Sequence, residues 1–391
     1  MKFGFKRANE SVKSSMANEN PAPVSPEQRA AEETAINEFW SWWNSFGADA
    51  LDAMFSVQLG VDGAPNAAEV DIIDVQKEVG GRIAAINDCL IWGFEAGAPY
   101  SRHLLTVSAA GDPELRPVAR RWLEAAPDDG AVWSFTDLRQ ADSAMKLSLG
   151  DVAATLVAQG ALDTEAPAEV DPADARVAVN TGHGAVDVRL FHPLFPAIAQ
   201  LEDGERLVAQ LGFTLLQLAL GEEDFGLWLR GFAFAGEEPE GAIPLPELGG
   251  VVEKLAEECP EWLTIDAEAN GQPLVVATRA PITQLVSPTM TQHVLIQLML
   301  AHIDDKGLPT DESKESLSEF NTAAAEVIAE DKGIFVATEQ CDGMALMHFF
   351  IDPASDAEAG LRALAEKWSE GEHVVDTAYD PAWQRVGHLR V

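Results

Sequence analysis

The sequence predicts an α+β fold of repeated split βαβ sandwiches with antiparallel sheets, preceded by a tryptophan-rich helix, and three observations carry that expectation. Short alternating runs come in pairs around turn signals such as Cys341-Asp342-Gly343, which marks hairpins. A helical stripe and then one more short strand follow each hairpin. Finally, Leu115-Arg-Pro-Val-Ala-Arg-Arg-Trp122 aligns with Leu361-Arg-Ala-Leu-Ala-Glu-Lys-Trp368, each segment lying between a hairpin and a last strand, as a duplicated unit would.

Taken in order, residues 1–26 read as a disordered tail, with Lys2, Lys6, Arg7 and Lys13 among Asn, Ser and Pro and no apolar run of secretory type. Residues 27–141 form an N-terminal module. Its first helix starts at Ser25-Pro26, a cap followed by proline, and shows Ala31, Ala35, Phe39, Trp43 and Phe46 at helical spacing, widened by Trp40 and Trp42. The aromatic run is expected to clamp layers of a core rather than to form a partner groove. A second helix is expected over 67–86. A hairpin of 89–95 and 103–109 follows, then a helix with Leu115, Val118, Ala119, Trp122 and Leu123 on one face, then a strand over 132–138.

The middle module, 142–260, holds an acidic loop over 163–174, a hairpin around Gly182-His183-Gly184 and an apolar helix over 206–220. A third copy of the repeat is expected in a strand over 227–235, the stripe Leu248, Val251, Val252 and Leu255, and a strand over 262–266. The C-terminal domain, 261–391, opens with a hairpin around Asn270-Gly271 and then reads strand 291–302, helix 311–330, strands 334–339 and 344–351, a helix with Leu361, Leu364 and Ala365, and strand 374–379. That order is βαββαβ, the plan of a ferredoxin-like sandwich.

Charge narrows the function. The chain has 64 Asp plus Glu against 26 Lys plus Arg, a net charge of −38, and no segregated basic patch, which argues against a grip on nucleic-acid phosphates. Its apolar runs fall short of the ~20 residues that span a bilayer. Cys89, Cys259 and Cys341 form no CxxC pair, which suits a reducing cytoplasm. The expectation is therefore a non-catalytic cytoplasmic protein that meets a basic protein partner, with no nucleic acid, membrane or cofactor.

Motifs of chemistry are sparse. GxxxxGK[ST], GxSxG, HExxH and EF-hand spacings are absent from the sequence. His183, Asp187 and His192 have the types of a metal site, but strand alternation turns Asp187 and His192 to opposite faces. His302, Asp304 and Asp305 read as a solvated turn, and Cys341 as an unactivated thiol. No catalytic residue is assigned. The alternative, an enzyme or small-ligand binder with a cleft between repeated sandwiches, would draw on His103, His192 or His348, because imidazole titrates near neutrality. His103 and His348 hold matching places early in the second hairpin strand.

Val186-Asp-Val-Arg-Leu-Phe-His-Pro-Leu-Phe195, Ala219-Leu-Gly-Glu-Glu-Asp-Phe-Gly-Leu-Trp228, Gly343-Met-Ala-Leu-Met-His-Phe-Phe350 and Tyr379-Asp-Pro-Ala-Trp383 resemble an uncharacterised bacterial family, domain of unknown function 695, over residues 35–391. These motifs are structural and imply no activity. Residues 290–391 are also similar in pattern to regulator of ribonuclease E activity B, a family of acidic proteins; that resemblance implies action by binding a protein enzyme.

Overall fold

A computed structural model describes residues 3–7, 23–59, 73–97, 99–150, 152–158, 160, 168–182, 184–329 and 331–390. The chain divides into two units, the first comprising Met1–Arg139, Ile265–Ala277 and Val286–Gly387, the second Gln140–Thr264, Thr278–Leu285 and His388–Val391.

In the first unit β1 (Phe3–Arg7) pairs antiparallel with β2. Part of the stretch expected to be a disordered tail is thus a strand, while residues 1–2 and 8–22 lie outside the described residues. Helix α1 (Pro26–Trp42) begins as its cap dictates, Ser25 Oγ accepting the Gln28 N–H at 3.1 Å. A π-helical turn, Trp43–Gly47, leads into α2 (Ala48–Leu59). Most of the helix expected over 67–86 lies outside the described residues or in a second π-helical turn, Gln76–Gly80, which runs on into α3 (Gly81–Ile86). Next come β2 (Ile91–Ala96), β3 (His103–Ser108), α4 (Arg116–Glu124) and β4 (Trp133–Thr136).

The aromatic helix is core. Phe39, Trp40 and Trp43 are buried together with Trp92, Trp122, Trp133 and Phe135, while Phe46 is 49% exposed. Trp40 stacks on Trp122 at 4.9 Å between centroids, and its Nε1 donates to the Trp122 carbonyl at 2.8 Å. Arg116 and Arg120 share the buried Asp137 carboxylate at 2.7 and 2.8 Å, tying α4 to the end of β4.

The second unit holds β5 (Leu147–Ser148), α5 (Val152–Ala158) and β6 (Glu169–Val170), then β7 (Arg176–Gly182) and β8 (Ala185–Phe191). Short α6 (Phe195–Ile198) and long α7 (Gly204–Trp228) carry the chain across to β9 (Leu229–Ala235). Helix α7 breaks at Gly221, whose φ of 71° suits glycine. Then follow β10 (Ile243–Pro244) and α8 (Leu248–Glu258).

A six-stranded sheet is built from β11 (Trp262–Ala269), β12 (Gln272–Arg279), β13 (Gln292–Met299), β14 (Gly333–Cys341), β15 (Met344–Ile351) and β16 (His373–Tyr379), in the order β11-β12-β14-β15-β13-β16. Helix α9 (Asp311–Val327) joins β13 to β14, and α10 (Ala357–Ala365) joins β15 to β16. Strand β13 lies between β15 and β16, antiparallel to both, so α10 crosses over it. The chain order from β13 to β16 is βαββαβ, a mixed α+β arrangement on an antiparallel sheet.

The repeat itself differs from expectation. The N-terminal sheet runs β1-β2-β3-β4 and the middle sheet β10-β7-β8-β9, and in each the last strand lies parallel and adjacent to the second hairpin strand. Nothing is inserted between them, so neither is split, and these two modules resemble each other rather than the C-terminal domain. The unit expected over 227–266 dissolves, because β9 and β11 belong to different sheets. Trp122 sits in α4 and is fully buried, whereas α10 ends three residues before Trp368, which is half-buried and donates Nε1–H to the Met299 carbonyl at 2.8 Å. The aligned stripes reflect what any amphipathic crossover helix needs, not a shared sheet order.

The two tryptophans should therefore separate by denaturation. Trp122→Ala should cost about 3–5 kcal/mol through lost transfer energy and a cavity. Trp368→Ala should cost only about 1–2 kcal/mol, for half a ring and one hydrogen bond. Equal shifts in urea midpoint at unchanged m would contradict this placement.

Candidate functional site

The three nominated histidines occupy three separate settings. His103 opens β3, where its Nε2 lies 2.9 Å from Asp52 Oδ1 and its ring packs 4.7 Å from that of Trp133. Arg102 holds the same carboxylate oxygen at 2.6 Å. Burial lowers the His103 pKa against the pull of Asp52. His192 follows β8. Its Nδ1 accepts the Leu194 N–H at 3.2 Å, so in the neutral ring the proton sits on Nε2, and burial lowers its pKa too.

His348 is different, because it belongs to a buried array. Its Nε2 lies 3.0 Å from Glu339 Oε1, and its Nδ1 lies 3.1 Å from His293 Nε2. All three residues are buried, His293 being 1% exposed. The register explains the meeting. His293 opposes Phe350, Leu295 opposes His348 and Leu346 opposes Glu339, so alternation puts the three polar side chains on one sheet face. The opposite face carries Val294, Ile296, Met347 and Phe349 into the core with α9 and α10.

Hydrogen-bond direction follows from the carboxylate. With Glu339 ionised and both rings neutral, His348 donates from Nε2 to the carboxylate, its Nδ1 accepts, and His293 donates from Nε2. His293 Nδ1 is left as a buried acceptor without a hydrogen-bond partner. Burial, with smaller contributions from His348 and Arg385, pushes His293 down to about 3, so it stays neutral at physiological pH. A base must be reachable to accept a substrate proton, and this array is enclosed. Phe350, beside His293 at 5.0 Å, is covered by Trp383 stacked at 4.3 Å. The Tyr379-Asp-Pro-Ala-Trp383 motif makes that cover. Asp380 accepts the N–H groups of Gln384 and Arg385 at 2.9 and 2.8 Å, and Trp383 Nε1 donates to the Met290 carbonyl at 2.9 Å.

Other nominated groups are accounted for locally. His183 lies outside the described residues, and Asp187 pairs with Arg230. Asp304 accepts the N–H groups of Lys306 and Leu308, both at 2.9 Å, which lowers its pKa. Burial first, then Glu339 and Asp342, raise the Cys341 thiol away from thiolate chemistry. Among the described residues no three His, Cys, Asp or Glu gather as a metal set. No helix among them is long and apolar enough to cross a membrane.

One open polar cleft in the first unit escaped the sequence reading. Arg29, Glu114, Arg121, Thr291 and Tyr379 line it over a bed that includes Pro26, Pro117 and Pro353. Asp352 holds Arg29 at 2.9 Å and Glu32 holds Arg121 at 3.3 Å. Burial, reinforced by Glu114, pushes the Tyr379 phenol up to about 12, so at neutral pH it is a hydrogen-bond donor and not a base. The cleft could orient a polar ligand, but His103, His192 and His348 are not among its lining residues.

His293 should shape the acid limb of stability. Its folded pKa lies below the unfolded value near 6.5, so the unfolded chain binds the extra proton; stability present above pH ~6.5 is lost as pH falls toward about 3. His103 and His192, lowered in the same direction, add to that slope. His293→Gln keeps a donor for His348 but cannot titrate, so its urea midpoint should fall less than wild type between pH 6.5 and 4. Parallel pH profiles would show that His293 is not buried neutral.

No curated protein and no solved structure matches the chain. The similarity to regulator of ribonuclease E activity B thus gains no support. The motifs at 343–350 and 379–383 fall within the segment that a family profile matches, whereas those at 186–195 and 219–228 fall outside it, so the match is narrower than the expected 35–391. Residues 260–386 match the model of a family of unknown function, DUF695.

Proposed function

We propose that this protein works in the cytoplasm by binding a basic protein partner, without catalysis of its own, and that its C-terminal domain is a ferredoxin-like sandwich presenting an acidic helix. The carrying observation is the outer face of α9, where Asp311, Glu312, Glu315, Glu319 and Glu326 are exposed beside a single cation, Lys314. With −38 on the whole chain, such a face steers a cationic surface and repels an anionic one. The enclosure of His293, His348 and Glu339 supports the non-catalytic part. A second reading, a small-ligand binder, is favoured by the cleft at Tyr379.

A lysine- and arginine-rich peptide should bind at a rate that falls at least about tenfold from 0.01 to 0.15 M salt, as the Debye length shrinks from ~30 to ~8 Å. Replacing Glu312, Glu315 and Glu319 together with Lys should remove most of that salt dependence. A rate indifferent to salt, or equal in the variant, would leave the acid face a solubility device. Duplex DNA should not bind under the same conditions.

A further inference from the structure

The cleft at Tyr379 holds polar groups that the described residues leave without partners. It has a volume of about 180 Å³, and its described lining comes wholly from the first unit. Thr291, which lines it just before β13, is only 3% exposed, yet its hydroxyl has no hydrogen-bond partner among the described residues. Burying a hydroxyl unpaired is costly, so one aimed into a cleft points to a guest. The Tyr379 hydroxyl is likewise without a protein partner among the described residues.

Charge decides what kind of guest fits. Arg29 and Arg121 line the cleft but are engaged, the first by Asp352 at 2.9 Å and the second by Glu32 at 3.3 Å. Glu114 has no such counter-ion. Its carboxylate makes no ion pair or hydrogen bond with the described residues, and burial first, then Asp112, raise its pKa, as befits an anion held without a cation. Two cations against the three carboxylates of Asp352, Glu32 and Glu114 leave one negative charge in excess. Around these groups the wall is apolar and rich in proline, with Pro26, Pro117 and Pro353.

We propose that the cleft receives a lysine side chain of the basic partner, its ammonium meeting the Glu114 carboxylate and the Tyr379 and Thr291 hydroxyls while its methylene stem lies on Pro26, Pro117 and Pro353. One carboxylate and two hydroxyls offer three acceptor groups to the three N–H donors of an ammonium. Tyr379 stays neutral at physiological pH, so it accepts without adding charge. A guanidinium spreads five donors in a plane and would leave some of them unpaired beside Arg29 and Arg121. An uncharged side chain would leave Glu114 without its counter-ion. Proline rings give the stem apolar area and bring no N–H of their own. This rests on the protein-binding reading above but uses a different surface from α9.

The test uses the full chain in 0.15 M salt and three peptides of one sequence that carry lysine, arginine or Nε-acetyl-lysine at the same positions, with n-butylammonium as competitor. Lysine and arginine peptides have equal charge, so attraction to α9 is common to both and the cleft alone separates them. The lysine peptide should bind at least about tenfold more tightly than the arginine peptide, whose surplus donors stay unpaired, and the acetylated peptide should not be retained. Glu114→Gln, which preserves side-chain shape, should abolish the preference, and Tyr379→Phe should weaken it, with circular dichroism showing each variant folded. In the unmutated protein n-butylammonium should displace the lysine peptide and spare the arginine peptide. Equal binding of the two cationic peptides, a preference that survives Glu114→Gln, or n-butylammonium binding without any peptide preference would overturn the proposal. If the preference is absent while salt-steered association through α9 persists, only this inference falls; if no cationic peptide binds, the protein-binding reading falls with it.

Discussion

The six-stranded sheet has two faces to cover and helices for one, and that constraint organises the C-terminal domain. Helices α9 and α10 bury Val294, Ile296, Met347 and Phe349. The other face bears His293, His348, Glu339 and Phe350, and the chain returns after β16 to close it with Trp383. Because side chains alternate, a one-residue slip of β13 against β15 would send His293 into the helix layer, away from His348, and Val294 outward. Register is held by this asymmetry. Trp383 itself has a φ of 53°, an uncommon conformation for a bulky residue, and the two N–H groups that Asp380 accepts lock the turn in which it stands.

Buried polar groups are tolerated when paired, and a chain of them specifies one arrangement more sharply than an apolar patch would. In the Glu339, His348 and His293 array each link fixes the tautomer of the next ring. A catalytic relay would deliver its terminal nitrogen to a substrate. Here His293 Nδ1 ends inside the protein, beside Phe350. The array is therefore better understood as a register device than as a displaced active site. His103 performs a related service in the N-terminal module, where Asp52 joins α2 to the start of β3.

Local signals in the sequence carried far, and long-range pairing did not. The cap at Ser25-Pro26, the Asp342-Gly343 turn and the stripes of α4, α9 and α10 each depend on residues within one or two turns, and the elements appear where those signals put them. The repeat misled because the Leu115–Trp122 and Leu361–Trp368 stripes encode only that a helix lies on a sheet; whether the next strand lands beside its predecessor or one strand away is decided by contacts far along the chain. His293 was findable. Once the βαββαβ order is read, β13 must lie beside β15, and counting by twos sets His293 on the face of His348. The Tyr379 cleft was not, since Arg29, Glu114 and Tyr379 come from three segments far apart in the chain and no spacing rule joins them.

Charge connects the exposed edge to the acidic surface. Strand β9 lacks the lysines and prolines that usually keep edges from pairing with copies of themselves. Two copies of this chain nevertheless approach as bodies of like charge, each at −38, and although salt screens beyond ~8 Å, an edge-to-edge contact brings many acids inside that distance. Repulsion of the whole surface can thus guard an edge that carries no guard of its own.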